Sequence, residues 1–191
     1  MGRTALLVID MSNDLLKNPE NPLYCPHAEE VIERVVELVA FAHREGWPVV
    51  YVQDAHRVGD ADFTVRPVHA VKGTWGAELI PELQRQRFPG DYDVPKRRHS
   101  GFSYTDLDLF LREEKIDTVV LTGVWTNVCV RSTASDAMYL GYNVICLSDA
   151  TTSQDEAMHE AGLRDISLFG RIMTVQEYEA MIRAARQEKS A

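Results

Sequence analysis

Four groups of residues in this chain have types and spacings that could do chemistry. Cys129 stands in Thr126-Asn127-Val128-Cys129-Val130, just after an apolar run and at the start of a helix-period segment. A thiol at a helix N-terminus meets the positive end of the dipole and free N–H groups, which favour thiolate and can hold an oxyanion. A lone cysteine is also a common core residue, and position alone leaves the two readings even. Asp10 closes the run Leu6-Leu7-Val8-Ile9. Partial desolvation at the mouth of a central strand raises a carboxylate's pKa toward the range useful for proton transfer. The alternative is a loop or capping carboxylate, a role that suits nearby Asp14 better. Asp54-Ala55-His56 places Asp and His two apart on an extended segment, hence on one face. His69 can close that set from the following loop. Asp/His/His with open positions suits zinc, or iron of the facial-triad type; hydrogen-bonded imidazoles in a polar loop are the competing reading. Lys96 opens the cationic run Lys96-Arg97-Arg98, which composition alone reads as a solvated surface patch.

The elements that must position these residues follow from periodicity. Ala5–Ile9, Val49–Gln53, Thr118–Thr122 and Asn143–Leu147 are short apolar runs that end at polar residues or glycine, as strands buried on both faces do. Helix-period segments alternate with them. Val31, Ile32, Val35, Val36, Leu38, Val39 and Ala42 form a stripe that ends near Gly46. Thr105-Asp106 is an N-cap signal for a helix burying Leu107, Phe110 and Leu111. A further helix is predicted from about Asn127 to just before Gly141, and another from about Gln154 to Leu168. Thr174 and Glu177 have capping-box spacing for a last helix burying Tyr178, Met181 and Ile182. Strand–helix alternation predicts a doubly wound α/β fold, in which ligands bind outside the carboxyl ends of the strands. Asp10, Asp54 and the stretch after Gly123 all fall there. Residues 55–75 form a long polar loop with little periodicity, containing His56, Asp60, Asp62, Arg66, His69 and Trp75; such loops are commonly functional.

Composition excludes several classes. The 191 residues are 45% hydrophobic and 26% charged, as in a globular protein. The net charge of −9 disfavours nucleic acid and anionic membranes as partners. Three cysteines without a C-x-x-C argue against a disulfide scaffold or a cysteine zinc knuckle; Cys146 reads as core and Cys25 as a loop residue. No apolar run reaches the ~18 residues of a membrane span. The first run is too short for a signal peptide, and Met1-Gly2 lacks the Ser or Thr at position 6 of a myristoylation signal. The expected compartment is the cytoplasm. Nucleotide-binding glycine motifs, H-E-x-x-H and G-x-S-x-G are missing.

Three segments, in order, carry a family resemblance: Ala5-Leu6-Leu7-Val8-Ile9-Asp10-Met11-Ser12-Asn13-Asp14, then Lys96 with Ser100-Gly101-Phe102 and Thr105-Asp106-Leu107, then Leu121-Thr122-Gly123-Val124-Trp125-Thr126-Asn127-Val128-Cys129-Val130. The chain resembles the isochorismatase-like cysteine hydrolases, and within them the nicotinamidases and N-carbamoylsarcosine amidase-like proteins, from about residue 4 to 175. The resemblance implies one domain over residues 1–191, with a mostly parallel six-stranded sheet in a three-layer, Rossmann-like arrangement with helices on both faces. It implies a catalytic triad of Asp10, Lys96 and Cys129. It also implies a cis peptide between Val124 and Trp125, and an oxyanion hole of the Trp125 and Cys129 amides. Asp54, His56 and His69 with the following Ala70-Val71-Lys72-Gly73-Thr74 resemble a nicotinamidase metal loop. Some members add an acidic ligand seven residues before the second His, here Asp62. The implied metal is divalent: zinc, or else iron or manganese. Isochorismatase itself lacks the nucleophilic Cys, so Cys129 argues against that activity.

Departures bear on the substrate. Leu15 stands where the family often has a ring-stacking Phe, and Ser12 where it often has Gln. Trp125 replaces a residue that is usually small, so it narrows the pocket or supplies the missing stacking surface. Leu15, Trp75 and Trp125 are the expected pocket residues. The expected activity is hydrolysis of a small amide to acid and ammonia through a thioester. Nicotinamide leads on the metal loop, and an N-carbamoylsarcosine-like ureido compound follows on Leu15. Two other readings remain: a hydrolase that attacks with metal-activated hydroxide, and a binding protein that kept the fold without catalysis. The resemblance also suggests a homo-oligomer, a dimer or larger.

Overall fold

The computed structural model describes residues 3–190; Met1, Gly2 and Ala191 lie outside the described residues, and with them the Met1-Gly2 dipeptide. Six strands are present among the described residues: β1 (Arg3–Ile9), β2 (Val49–Asp54), β3 (Tyr92–Lys96), β4 (Ile116–Val124), β5 (Asn143–Thr152) and β6 (Arg171–Met173). They pair in parallel throughout, in the order β3-β2-β1-β4-β5-β6. The helices are α1 (Asn13–Leu16), α2 (Glu29–Glu45), α3 (Pro81–Gln84), α4 (Leu107–Glu113), α5 (Arg131–Tyr139), α6 (Glu156–Ile166) and α7 (Val175–Ser190).

Side-chain alternation along the strands feeds two cores. Leu6 and Val8 of β1 join the α2 stripe and Tyr178 and Ile182 of α7 on one face of the sheet. Ala5, Leu7 and Ile9 join Leu107 and Leu111 of α4, Ala134 and Ala137 of α5, and Ile166 of α6 on the other. This is the doubly wound arrangement expected from the alternation. The strand order reverses beside β1, so the switch-point crevice opens between β1 and β4. Asp10 follows β1, Asp54 ends β2, Lys96 ends β3, and the Cys129 turn follows β4, so all four converge on that edge.

Local signals hold in detail. Gly46 closes α2 in the left-handed region at φ +68° and donates to the carbonyls of Ala42 and His43. Thr174 and Glu177 form the reciprocal capping box, with Thr174 N–H to Glu177 Oε2 at 2.8 Å and Glu177 N–H to Thr174 Oγ1 at 3.2 Å. Periodicity does not mark strands β3 and β6. Both are sheet edges, β3 contains Pro95, and β6 has only three residues. An edge strand tolerates proline and needs no apolar run. The helix predicted from about Asn127 is present, but its first five residues, Thr126–Val130, wind as a π-helix before α5 continues from Arg131. Cys25 lies in the loop between α1 and α2, as expected, but it is not a surface residue. It is fully buried in the α2-side core, its Sγ donates to Ser153 O at 3.0 Å, and burial pushes its thiol up to about 12. Cys146 is core, as expected.

Gly123 lies where β4 passes β1 beneath the crevice. Its φ is +101°, and a Cβ there would stand 2.0 Å from Ile9 O. Backbone on a central strand cannot yield to that contact. Gly123→Ala is therefore expected to cost roughly 3 kcal/mol or more in urea unfolding. Gly46→Ala has a positive φ but open space and is expected to cost only about 1 kcal/mol. Equal losses for the two variants would contradict this account.

Candidate active site

Lys96 is the centre of the crevice. Its side chain is fully buried, and Nζ donates to Asp10 Oδ2 at 2.7 Å and Asp54 Oδ1 at 2.6 Å. It also approaches Cys129 Sγ at 3.6 Å. The surface-patch reading of Lys96 from composition is thus overturned. Only Arg97 and Arg98 of that run reach the surface, where both hold the buried Asp60 carboxylate. The second oxygen of Asp10 accepts the Asp54 N–H at 2.7 Å, so β1 and β2 are tied at their ends by side chain as well as by ladder. Asp10 takes φ +52°, a left-handed conformation uncommon outside glycine that recurs at functional positions.

Burial and the Asp54 charge raise the Asp10 pKa, partly offset by Lys96. For Lys96, burial would lower the pKa, but Asp10 and Asp54 outweigh it and hold the ammonium well above its usual range. For Asp54, burial would raise the pKa, and Lys96 with the two histidines reverses it to well below the ordinary carboxylate range. Cys129 is pushed well above an ordinary thiol by burial and by Asp10, with Lys96 opposing. This runs against the expectation that a helix N-terminus favours the thiolate. The turn at Cys129 is not a regular helix start, and two carboxylates face the sulfur. The raised pKa keeps the proton on Sγ.

The Val124–Trp125 peptide is cis. Trp125 O accepts the N–H groups of Val128 at 3.1 Å and Val130 at 3.2 Å, the residues on either side of Cys129.

Beside Lys96 the same Asp54 turns its other oxygen to the histidines. Asp54 Oδ2 lies 3.3 Å from His69 Nε2 and 3.8 Å from His56 Nε2. His69 Nδ1 is 2.8 Å from Pro67 O, which keeps the proton on Nδ1 and leaves the Nε2 lone pair free. His56 Nδ1 and Nε2, His69 Nε2 and Asp62 Oδ2 are all buried without a hydrogen-bond partner. Buried lone pairs left unpaired call for an acceptor of electrons, and a divalent cation supplies one. Asp54, His56 and His69 form a group whose ligand atoms lie within 4.8 Å of one another; these residues fit a metal. Asp62 is outside that triad but sits at its edge, Oδ2 being 3.9 Å from His56 Nε2.

The expected pocket residues separate. Trp125 is buried, with Nε1 unpartnered. Leu15 is buried in the same apolar cluster as Trp125. Trp75 is 54% exposed. Two residues gain importance over their sequence reading. Asp14, given a bland role above, accepts the Ala70 N–H at 2.8 Å and Asn18 Nδ2 at 2.9 Å. It thereby clamps the loop one residue after His69, where Ala70 takes φ +42°. Gly76 packs on that carboxylate so closely that a Cβ would lie 2.1 Å from Asp14 Oδ2. Asp60 is the other, ordering Arg97 and Arg98 and facing His56 Nδ1 at 3.6 Å. Nothing in their spacing marks either one, because each acts through a distant backbone or side-chain partner.

The family model for the isochorismatase domain matches residues 4–177. An isochorismatase-like hydrolase from Alkaliphilus metalliredigens is 54% identical, with a TM-score of 0.87 over 94% of this chain and 98% of that one. A zinc complex of the Pyrococcus horikoshii pyrazinamidase is 30% identical, with a TM-score of 0.81 over 90% and 99% of the two chains. The ureidoacrylate amidohydrolase of Methylorubrum extorquens is 36% identical over 178 residues, 80% of this chain and 70% of the relative.

Asp14→Ala leaves all the metal-facing side chains in place but releases the loop at Ala70. It is expected to weaken divalent-metal retention about 10–100-fold, measured by competition with a chromogenic chelator at unchanged melting temperature. Unaltered metal affinity would remove Asp14 from the site.

Proposed function

Since this chain belongs to the isochorismatase family, whose members are hydrolases, we propose that it is a cysteine-dependent amidohydrolase acting on a small carboxamide or ureido compound. The observation that carries the reading is one buried ammonium, Lys96, reaching Asp10 at 2.7 Å and Cys129 Sγ at 3.6 Å. A surface lysine or a structural cysteine has no need of that arrangement.

The chemistry follows from the proton's location. The Cys129 proton passes to Asp10 as Sγ bonds to the amide carbon. Lys96 stays charged, holds the Asp10 carboxylate in place and faces the developing negative charge. The Trp125 and Cys129 amides serve as donors to the tetrahedral oxyanion. Asp10 then returns the proton to the leaving nitrogen, the C–N bond breaks, and ammonia departs, leaving a thioester. A water that gives its proton to Asp10 cleaves the C–S bond and frees the acid, and the proton returns to the thiol. A divalent metal, zinc with iron or manganese as alternatives, would be held by Asp54, His56 and His69, with Asp62 as a further donor. It would supply a Lewis-acid anchor that orients the substrate through a ring nitrogen or carboxylate.

Two substrate classes have support. The metal triad and the likeness to a zinc-bound pyrazinamidase favour a heteroaromatic carboxamide such as nicotinamide. The likeness to a ureidoacrylate amidohydrolase, with Leu15 in place of a stacking ring, favours a ureido compound. Placement in the cytoplasm and assembly into a dimer or larger remain part of the proposal; no described helix is long and apolar enough to cross a membrane.

Cys129→Ala is expected to abolish ammonia release from a panel of nicotinamide, pyrazinamide, N-carbamoylsarcosine and ureidoacrylate, with melting behaviour intact. Full activity in that variant sinks the mechanism. Chelation separates the competing metal-hydroxide hydrolase: metal removal should mainly raise KM, and thiol alkylation should remove kcat. The reverse pattern favours direct attack by metal-activated hydroxide.

A further inference from the structure

The turn that carries Cys129 is tied to α6 and to the residue that follows β5, neither of which gives a side chain to the site. His159 of α6 places Nδ1 2.8 Å from Thr126 Oγ1. Thr126 is fully buried and opens the turn. Ser153, directly after β5, donates its hydroxyl to Asn127 Oδ1 at 2.9 Å. The backbones also come close: a Cβ on Gly162 of α6 would stand 2.6 Å from Asn127 N and 2.8 Å from Thr126 C. Burial lowers the His159 pKa, so its ring is neutral near neutral pH and brings no charge to the turn. α6 also packs on the sheet through Ile166, which leaves the His159 ring to the turn.

A π-wound turn is rare and occurs mostly as a single turn, often at a functional site. Here Trp125 O takes the N–H groups of Val128 and Val130, and no side chain caps the start of the turn. What fixes the side chains of residues 126 and 127 therefore comes from outside it. In the chain these two residues lie between Trp125 and Cys129, so their placement sets where the two proposed oxyanion donors stand relative to each other. Such donors work only when they already stand where the charge will develop, and a misplacement of about 1 Å costs up to about 100-fold in rate. Resting on the amidohydrolase reading, we propose that His159 is a positioning residue. Through the Thr126 hydroxyl it holds the Cys129 turn in the geometry that brings the Trp125 and Cys129 amides onto one oxyanion. It acts on the transition state and not on substrate binding, so its loss lowers kcat and leaves KM.

The test removes the contact from each side. His159→Phe keeps a ring without its nitrogens, His159→Asn returns a polar atom near the place of Nδ1, and Thr126→Val removes the hydroxyl. Ammonia release is followed on whichever substrate of the panel above the unaltered protein turns over fastest. His159→Phe and Thr126→Val are each expected to lower kcat about 10–100-fold, with KM changed less than about twofold. The double variant should lose no more than either single one, because the two side chains act as one contact. His159→Asn should recover most of the rate. Hydrogen exchange is read in the same proteins: in His159→Phe the peptide spanning residues 125–130 should exchange about tenfold faster, with β4 exchange and melting temperature unchanged. An unaltered kcat in His159→Phe overturns the proposal, as does a loss that His159→Asn fails to recover or a double variant in which the two losses multiply. Should the unaltered protein hydrolyse none of the panel, the amidohydrolase reading fails, and exchange alone decides the anchor. Faster exchange in His159→Phe, restored in His159→Asn, upholds it; unchanged exchange overturns it.

Discussion

A buried ammonium constrains everything around it. Lys96 has no exposed side-chain surface, and an unpaired charge at that depth is untenable; removing one partner of a buried pair costs about 3–5 kcal/mol. Two carboxylates answer that demand, Asp10 from the end of β1 and Asp54 from the end of β2. The lysine itself ends β3. Three adjacent parallel strands must therefore finish in register, which their pairing gives through Val52 opposite Ile9 and Lys96 opposite Asp54. The doubly wound topology puts β4 on the other side of β1 and brings Cys129 to the same edge.

Two carboxylates on one ammonium leave an excess of negative charge, and both candidate functions draw on it. On the side of Cys129 the excess opposes loss of the thiol proton, and in the proposed mechanism Asp10 is the group that receives it. A permanently stabilised thiolate would be a poorer nucleophile, whereas a thiol with its base in place is activated only as the new bond forms. On the other side, Asp54 presents its second oxygen to His56 and His69, and the leftover charge favours a cation among them. Asp54 thus couples the two centres: it is held by Lys96 through one oxygen and offered to a metal through the other.

Much of this was legible in the sequence, for identifiable reasons. Strands β1, β2, β4 and β5 are buried on both faces, so their apolar runs are continuous and their polar terminators mark the crevice. Asp10 and Asp54 could be read from that rule alone. Lys96 could not. Its strand is an edge with no apolar run, and its neighbours Arg97 and Arg98 give the local composition of a surface; only the family resemblance pulled it inward. The Cys129 turn follows a buried strand as a helix would, but its π-type winding depends on how β4 meets α5, which periodicity does not encode. Cys25 is a loop residue, as read, but its burial is hidden because its partner, Ser153 O, is remote in sequence. Asp14 escapes for the same reason, since its importance lies in what it touches across the fold.

The most direct measurement of the covalent mechanism is nucleophile partitioning. An amide substrate and the methyl ester of the same acyl group are turned over in the presence of hydroxylamine, and the ratio of hydroxamate to free acid is determined for each. A shared Cys129 thioester predicts hydroxamate from both, in one ratio independent of the leaving group. No hydroxamate, or a ratio that changes between amide and ester, would mean that the acyl group never resides on Cys129.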